Sequence, residues 1–380
     1  MILSNIYGVF CFIQTEFQHN GTNVEIGGLT MSRLYLVTGA TGHLGNTIVR
    51  ILLEAGDRVR VLVHPEDDLE SIRGLPVEII YGDVVKKESM KEFFEIDNPR
   101  EAIVIHADEV ISFSDQKDAT IFRVNVQGTV SVTDMCVKKH IGRLVYVGSV
   151  HAIPVKPKGT VIEEVENFNR ELVVGDYAKS KAEAAQYILS KVKLNSLNAV
   201  IVHPSGTIGP NDYKNSPVVQ LIRNYFAGEM KATERGGYDI ADVRDVAAGV
   251  ISAAERGIKG TSYILSNQFI SAKVFFDDLN ALSGNTKIKK AKKIRKPRLQ
   301  WLKRRKSLAA GARPRVMQKS SPAKQALFAL SPDARYSHRR ADHELHYKTR
   351  DFHTSIKETV LWIGELEKNP VEVAEVTEGS

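Results

Sequence analysis

The chain has 380 residues, 43% hydrophobic and 26% charged, enough to bury a large core in one big domain or two smaller ones. Its formal charge of +7 is uneven: residues 285–350 hold 21 Lys and Arg against Asp333, Asp342 and Glu344, so the remainder is net acidic and any attraction to polyanions belongs to the C-terminal quarter. Cys11 and Cys136 are too few for a disulfide framework or a cysteine-rich metal site, the apolar run Ile6 to Ile13 is too short to span a bilayer, and residues 1–30 lack the Lys or Arg of a secretory start; a reducing cytoplasm is expected.

Residues 1–31 join no pattern, and Met31 stands just before the first strand, so a disordered leader or an over-extended start is expected there. From residue 33 short apolar runs alternate with helical patterns, which predicts a parallel sheet with crossover helices. The expected strands are Leu34 to Thr38, Arg58 to Val63, Val77 to Tyr81, Ala102 to His106, Arg143 to Gly148, Asn198 to His203 and Ser262 to Leu265. Several are almost wholly apolar, as strands covered on both faces must be. Helices are expected at His43 to Ala55, Glu88 to Phe94, Ile121 to His140 and Asp176 to Val192. In the last of these Ala178, Ala182, Ala185, Leu189 and Val192 form the buried stripe. Pro204 to Ile240 is rich in Gly, Pro and Asn and reads as an insertion capping the sheet; a helix resumes near Asp242, and an amphipathic one spans Phe352 to Leu366. Cys136 falls in an apolar helical pattern and reads as a buried thiol.

The first strand runs directly into Gly39-Ala-Thr-Gly42-His-Leu-Gly45, followed by a helix. Glycines permit a tight turn and close approach of backbone to a pyrophosphate, and the helix start offers free N–H groups and positive dipole. Each glycine is three residues from the next, a departure from the commonest G-x-G-x-x-G spacing, and a turn that merely joins strand to helix is the alternative. On the dinucleotide reading Thr38, Gly39, Thr41, Gly42, His43, Leu44 and Gly45 contact the cofactor. His64 ends the second strand, with Arg58 and Arg60 upstream and no acid until Glu66, Asp67 and Asp68, which leans toward NADP over NAD.

Tyr177 and Lys181 lie four residues apart on the predicted helix, side by side, where a cation makes a phenol a usable proton donor. Before them come Gly82-Asp83, His106-Ala107, Asn125-Val-Gln-Gly128-Thr129 and Val147-Gly-Ser149, each near the end of a predicted strand or in a helix. In this order the motifs resemble the extended short-chain dehydrogenase/reductases of the NAD-dependent epimerase/dehydratase superfamily, over roughly residues 32 to 366. Ser149-Val-His151, His203-Pro204-Ser-Gly-Thr-Ile-Gly209-Pro210 and the stretch Leu345 to Trp362 resemble most the 3β-hydroxysteroid dehydrogenase and dihydroflavonol 4-reductase branch.

The resemblance implies a Rossmann-type, doubly wound α/β fold with a smaller, mostly helical C-terminal substrate lobe. Residues 32–204 and 242–265 would form the NAD(P)-binding domain, 205–241 and 266–366 the substrate lobe, and 367–380 a tail. It further implies that Tyr177 exchanges a proton with a substrate carbonyl oxygen and that Ser149 hydrogen-bonds the same oxygen. Lys181 would hold the nicotinamide ribose and lower the tyrosine pKa. Asp83 would contact the adenine, with Val84 and Ala107 lining the groove, His64 at the adenosine end and Pro204 near the nicotinamide. Each has a plainer alternative: a strand-end turn for Ser149, a cap or turn for Asp83, a solvated loop residue for His64. Asn125 reads as structural, His106 and His203 as packed core histidines with no metal site around them, and His151 as either a substrate contact or scaffold. Asp108 and Glu109 depart from the family, which carries small or apolar residues at those positions, and Gly148 replaces a frequent serine.

Residues 287–315 cluster Lys and Arg around Leu299, Trp301, Leu302 and Leu308. They read as a cap over the substrate pocket, with a surface helix attracted to anionic lipid or nucleic acid as the alternative. The expected activity is NAD(P)-dependent interconversion of a carbonyl and a secondary alcohol on an apolar small molecule. The competing readings are a nucleotide-sensing or nucleic-acid-binding protein on the same fold and a sugar-nucleotide epimerase or dehydratase. A cytoplasmic homodimer with no nucleic-acid partner completes the expectation.

Overall fold

The computed structural model describes residues 32–111, 119–157, 159–195, 197–229, 236–282 and 334–368. The leader and the basic 287–315 segment lie outside the described residues. Contacts divide the chain into Met1–Ser32 and Arg33–Ser380, and every element below belongs to the second.

In chain order the strands are β1 (Leu34–Thr38), β2 (Arg58–Val63), β3 (Glu78–Tyr81), β4 (Ile103–His106), β5 (Arg143–Val147), β6 (Val161–Ile162), β7 (Ala199–Pro204), β8 (Gly206–Ile208), β9 (Gly237–Asp242), β10 (Ser262–Leu265), β11 (Gln268–Ser271) and β12 (Arg335–Tyr336). The helices are α1 (His43–Glu54), α2 (Ala119–Phe122), α3 (Thr129–Lys139), α4 (Asp176–Asn195), α5 (Pro217–Phe226), α6 (Val243–Arg256), α7 (Ala272–Leu282), α8 (Arg339–Leu345) and α9 (Phe352–Lys368).

Seven strands form one sheet in the order β10-β7-β5-β4-β1-β2-β3. All its pairings are parallel, with Thr38 opposite Leu62 on one side and His106 on the other. Strand order therefore reverses between β1 and β4, and the turn after β1 opens at that switch point, where doubly wound sheets bind ligands. Alternate side chains of each strand feed opposite layers. Leu36, Val104, Leu144 and Ile201 pack with Val132 and Cys136 of α3 and the alanines of α4. Val37, Ile105, Val145 and Val202 pack with Ile48 and Leu52 of α1 and Val246 and Val250 of α6. Four of the five stripe residues on α4 are buried, Ala178, Ala182, Ala185 and Leu189; their small side chains let the helix approach the sheet closely.

A second core joins Ile208, Ile222, Tyr225, Ile240, Phe275, Phe276, Phe352 and Ile356. It lies among α5, α7, α9 and a three-stranded sheet, β11-β9-β8, so the segment read as a capping insertion also contributes strands. The helix expected over Glu88 to Phe94 is only a 3-10 turn, Lys87–Met90. The guanidinium of Arg60 explains the difference, because its Nη1 donates to the carbonyls of Glu92, Phe93 and Glu95 at 3.1, 3.2 and 2.8 Å, anchoring an irregular backbone. The helix expected over Ile121 to His140 is interrupted by a π-helical turn, Arg123–Gly128. No helix among the described residues is long and apolar enough to cross a membrane.

Candidate active site

Gly39 has φ +71°, and a Cβ there would stand 2.5 Å from the Ala107 carbonyl oxygen; one on Gly45 would overlap the carbonyl of Gly39. The turn is thus closed against the end of β4 and against the start of α1 by glycine alone. Gly42 caps α1 without a side-chain hydrogen bond, which leaves the first N–H groups of the helix available to an anion. This cradle fits a dinucleotide pyrophosphate. Asn46 braces it, donating through Nδ2 to the carbonyls of Gly42 at 2.7 Å and Asn211 at 3.0 Å. Thr41 donates to Asp67 at 2.8 Å, His43 donates through Nε2 to the Pro210 carbonyl at 3.0 Å, and Leu44 packs at the edge of the α1 core. Thr38 is turned away from the loop: its hydroxyl hydrogen-bonds His106 Nδ1 at 2.7 Å inside the sheet.

The arginines that favoured NADP are placed elsewhere. Arg58 begins β2, at the opposite end from the glycine turn, and Arg60 pairs with Glu78 at 2.8 Å besides holding the carbonyls after β3. His64 is exposed and accepts from the Glu66 N–H at 3.3 Å. Asp83 accepts from the Val85 N–H at 2.9 Å through Oδ1, an Asx-type turn, with Oδ2 3.9 Å from Lys86. Val84 is buried against Gly128, Ala107 faces Gly39, and Pro204 closes β7 beside Leu265.

Ser149, Tyr177 and Lys181 come together at the C-terminal ends of the strands. Lys181 is buried and donates to the Val147 carbonyl at 2.9 Å. The Tyr177 hydroxyl donates to Glu109 Oε2 at 2.9 Å, and the same oxygen lies 2.7 Å from Lys181 Nζ. A carboxylate from the turn after β4 thus stands between phenol and ammonium. The net effect on the phenol runs opposite to the lowered tyrosine pKa that the resemblance implied. Burial and then the Glu109 charge hold the Tyr177 phenol well above its ordinary value, against an opposing contribution from Ser149. Burial also opposes the charge on Lys181, but Glu109 and Tyr146 outweigh it and leave the ammonium more strongly held than usual.

The surrounding groups fix these positions. Ser149 Oγ accepts from the His151 N–H at 3.2 Å, and its carbonyl accepts from His203 Nδ1 at 3.0 Å. His106 is hydrogen-bonded through both ring nitrogens, to Thr38 and to Thr129 Oγ1 at 3.0 Å. Burial pulls both His106 and His203 down to about 3, so they are neutral scaffold. His151 Nε2 hydrogen-bonds Tyr238 at 2.7 Å, and its ring meets Tyr177 edge-on at 5.9 Å. Asn125, in the π-helical turn, grips the backbone of Val110. Burial, followed by the charge of Asp67, pushes Asp108 up to about 6.

Sequence reasoning marked Glu109 only as a departure from the family. Two acids directly after an apolar strand were the available signal; their meeting with Tyr177 and Lys181 depends on contacts 68 and 72 positions away and has no local signature. The contact of Tyr238 with His151 is likewise long-range.

A glycine turn at the switch point of a doubly wound parallel sheet, with a buried tyrosine and lysine at the strand ends, defines a dinucleotide-binding oxidoreductase fold. A model of the NAD dependent epimerase/dehydratase family matches residues 35–266, and the chain belongs to that family. It is 30% identical over 253 residues to sterol demethylase protein B of Methylococcus capsulatus, covering 66% of this chain and 74% of that one. It is 32% identical over 260 residues to a Synechocystis protein with the provisional name dihydroflavonol 4-reductase, covering 67% and 74%. A stretch of 133 residues is 36% identical to mouse 3 beta-hydroxysteroid dehydrogenase type 7, covering 33% and 35%. Among solved structures, gox2253 superposes with a TM-score of 0.71 at 27% identity, covering 88% of this chain and 98% of that one. The Thermus thermophilus UDP-glucose 4-epimerase, solved with NAD, shares the fold with a TM-score of 0.68 at 20% identity, covering 87% and 99%.

Proposed function

We propose that the protein is a nicotinamide-dinucleotide-dependent oxidoreductase that interconverts a carbonyl and a secondary alcohol on an apolar, cyclic small molecule. The observation that carries this reading is the meeting of the buried Ser149, Tyr177 and Lys181 side chains at the strand ends, beside the glycine cradle. A bound nicotinamide supplies or accepts the hydride. Ser149 orients the substrate oxygen, Tyr177 exchanges a proton with it, and His151 and Tyr238 line the side toward the second core. Gly39, Gly42, Gly45 and the start of α1 hold the pyrophosphate, and Asp83 keeps one carboxylate oxygen for the adenine end. NAD is favoured over NADP, because a ribose 2′-phosphate needs a cation at the end of β2 and both arginines of that strand are placed elsewhere. The apolar cyclic substrate class rests on the names of the sterol, flavonol and steroid relatives.

The test follows NADH and NADPH absorbance with a panel of cyclic ketones and alcohols, with UDP-glucose as the sugar-nucleotide comparison. Turnover with NADH and loss of about 10²-fold or more in Tyr177→Phe support the reading. A Tyr177→Phe protein as active as the parent, or a parent that binds neither dinucleotide, overturns it.

A further inference from the structure

We propose that Glu109 is a further catalytic residue, whose carboxylate exchanges a proton directly with the Tyr177 hydroxyl and links that buried phenol to solvent. The inference rests on the reading of Tyr177 as the proton-transferring group. Its basis is contact: one oxygen, Oε2, lies at hydrogen-bond distance from the phenol, 2.9 Å, and 2.7 Å from Lys181 Nζ, the latter in the range of a charge-assisted bond. Tyr177 is 6% exposed and Lys181 1%, whereas the Glu109 side chain is 24% exposed. Ser149, on the other side of the phenol, is buried as well. A proton passed from Tyr177 to Glu109 reaches a side chain open to water, which the buried Ser149 and Lys181 do not offer.

The carboxylate is also held in place. Val110, its neighbour in the chain, is hydrogen-bonded at both its N–H and its carbonyl by the Asn125 side chain, at 2.8 and 3.0 Å. Among the described residues, the charged and titratable groups that face Glu109 are Tyr177 and Lys181 from α4, Tyr146 from β5, His151 from the turn after β5, and Asp108 beside it. Burial keeps His151 neutral, at about 4, and among the described residues Lys181 is the cation paired with the Glu109 carboxylate.

During alcohol oxidation the substrate O–H bond breaks and its proton passes to the Tyr177 oxygen. The phenol O–H bond breaks at the same time, its proton passing to the Glu109 carboxylate and then to water. The hydride leaves the carbinol carbon with its electron pair for an oxidised nicotinamide dinucleotide. Alcohol and oxidised dinucleotide become carbonyl, reduced dinucleotide and one solvent proton. Reduction runs the same path backward, takes up one solvent proton, and gains from lower pH.

The first experiment uses the cofactor-free protein labelled with 13Cζ-tyrosine, the Tyr177 signal being assigned with Tyr177→Phe. In the parent that signal should inflect where Glu109 titrates and ionise well above the ordinary tyrosine range. In Glu109→Gln the acid inflection should vanish, and phenol ionisation should fall by about one unit or more, because Lys181 then faces the phenol with no counter-ion. Oxidation of a 3β-hydroxysteroid with NAD should drop about 10²-fold in Glu109→Gln and recover in part in Glu109→Asp. Superimposable titrations in parent and Glu109→Gln, or equal oxidation rates, overturn the proposal. NADH titration by fluorescence separates the two failures: a parent that binds no dinucleotide sinks the oxidoreductase reading, while the tyrosine titration still decides the Glu109 contact.

Discussion

Asn125 holds Val110 from both sides, Oδ1 accepting from its N–H at 2.8 Å and Nδ2 donating to its carbonyl at 3.0 Å. Nδ2 also donates to Ser180 Oγ at 3.1 Å, so one buried amide joins the turn after β4 to α4. Asn125→Asp removes both donors and buries a carboxylate against a carbonyl oxygen. It should destabilise the protein by about 2–4 kcal/mol, and Asn125→Ala by about 2–3 kcal/mol. Urea unfolding with an unchanged m-value measures this; a loss under about 0.5 kcal/mol in both variants would show that the amide does not support the turn.

Two glycines should respond with opposite sign to the same change. Gly39→Ala places a Cβ 2.5 Å from the Ala107 carbonyl oxygen at φ +71°, and the neighbour is backbone that cannot step aside. The left-handed strain alone costs about 1–2 kcal/mol, and the overlap adds to it. Dinucleotide binding should be lost with it. Gly364 lies inside α9 with nothing within 4 Å of an added Cβ. Gly364→Ala should therefore stabilise by about 0.5–1 kcal/mol. Chemical denaturation of the pair, with NADH titration of each, checks both directions.

The strands and the glycine turn could be read from the sequence because parallel strands sandwiched between helices carry near-continuous apolar runs, as Leu34 to Thr38 and Ala199 to Val202 do. Tyr177 and Lys181 could be read for a different reason: helical spacing makes them neighbours wherever the helix lies. Arg60 could not, since closeness in sequence to a strand end does not say which way a long side chain turns, and Glu78 with three carbonyls claims it. The same holds for Glu109, whose partners are fixed only when β4, β5 and α4 are assembled.

Asp239 should give the protein a measurable acid-side stability. It is buried in β9 and accepts from the Asn267 N–H at 3.2 Å; burial pushes its carboxyl up to about 6 against the hydrogen bonds from Ser205 and Asn267. The folded state then binds the proton more tightly than the unfolded chain, whose aspartates titrate near about 3.9. Its contribution is therefore complete below about pH 4 and is lost as the pH rises through about 6, a span of about 2–3 kcal/mol. Asp239→Asn keeps the acceptor without the charge. It should match the parent at about pH 4 and exceed it by about 2–3 kcal/mol at about pH 8. A constant difference between the two proteins across denaturation curves from acid to alkaline pH would contradict this assignment.

Arg350 fastens the entry of α9 to the start of α6, and its effect should pass through Asp245 more than Asp242. Its Nε is 3.0 Å from Asp245 Oδ1 and its backbone N–H donates to Asp245 Oδ2 at 2.7 Å, whereas Nη1 reaches Asp242 Oδ1 only at 3.4 Å. Asp242 already has Arg244, at 2.9 and 2.7 Å, and its carboxyl is held below the usual range although burial opposes this. Asp245 has no such second guanidinium in bonding distance among the described residues, and burial pushes it up to about 6 even with Arg350 opposing. Arg350→Ala should thus cost about 1–3 kcal/mol, discounted for the partial exposure of the guanidinium. In a double-mutant cycle it should couple to Asp245→Asn by about 1 kcal/mol or more and to Asp242→Asn by less. Because Phe352 and Ile356 seat α9 in the second core, the weakened variant should also be cut faster by protease after residue 350. Equal coupling to both aspartates would mean that Arg350 acts through the general field of the cluster and not through the Asp245 contact.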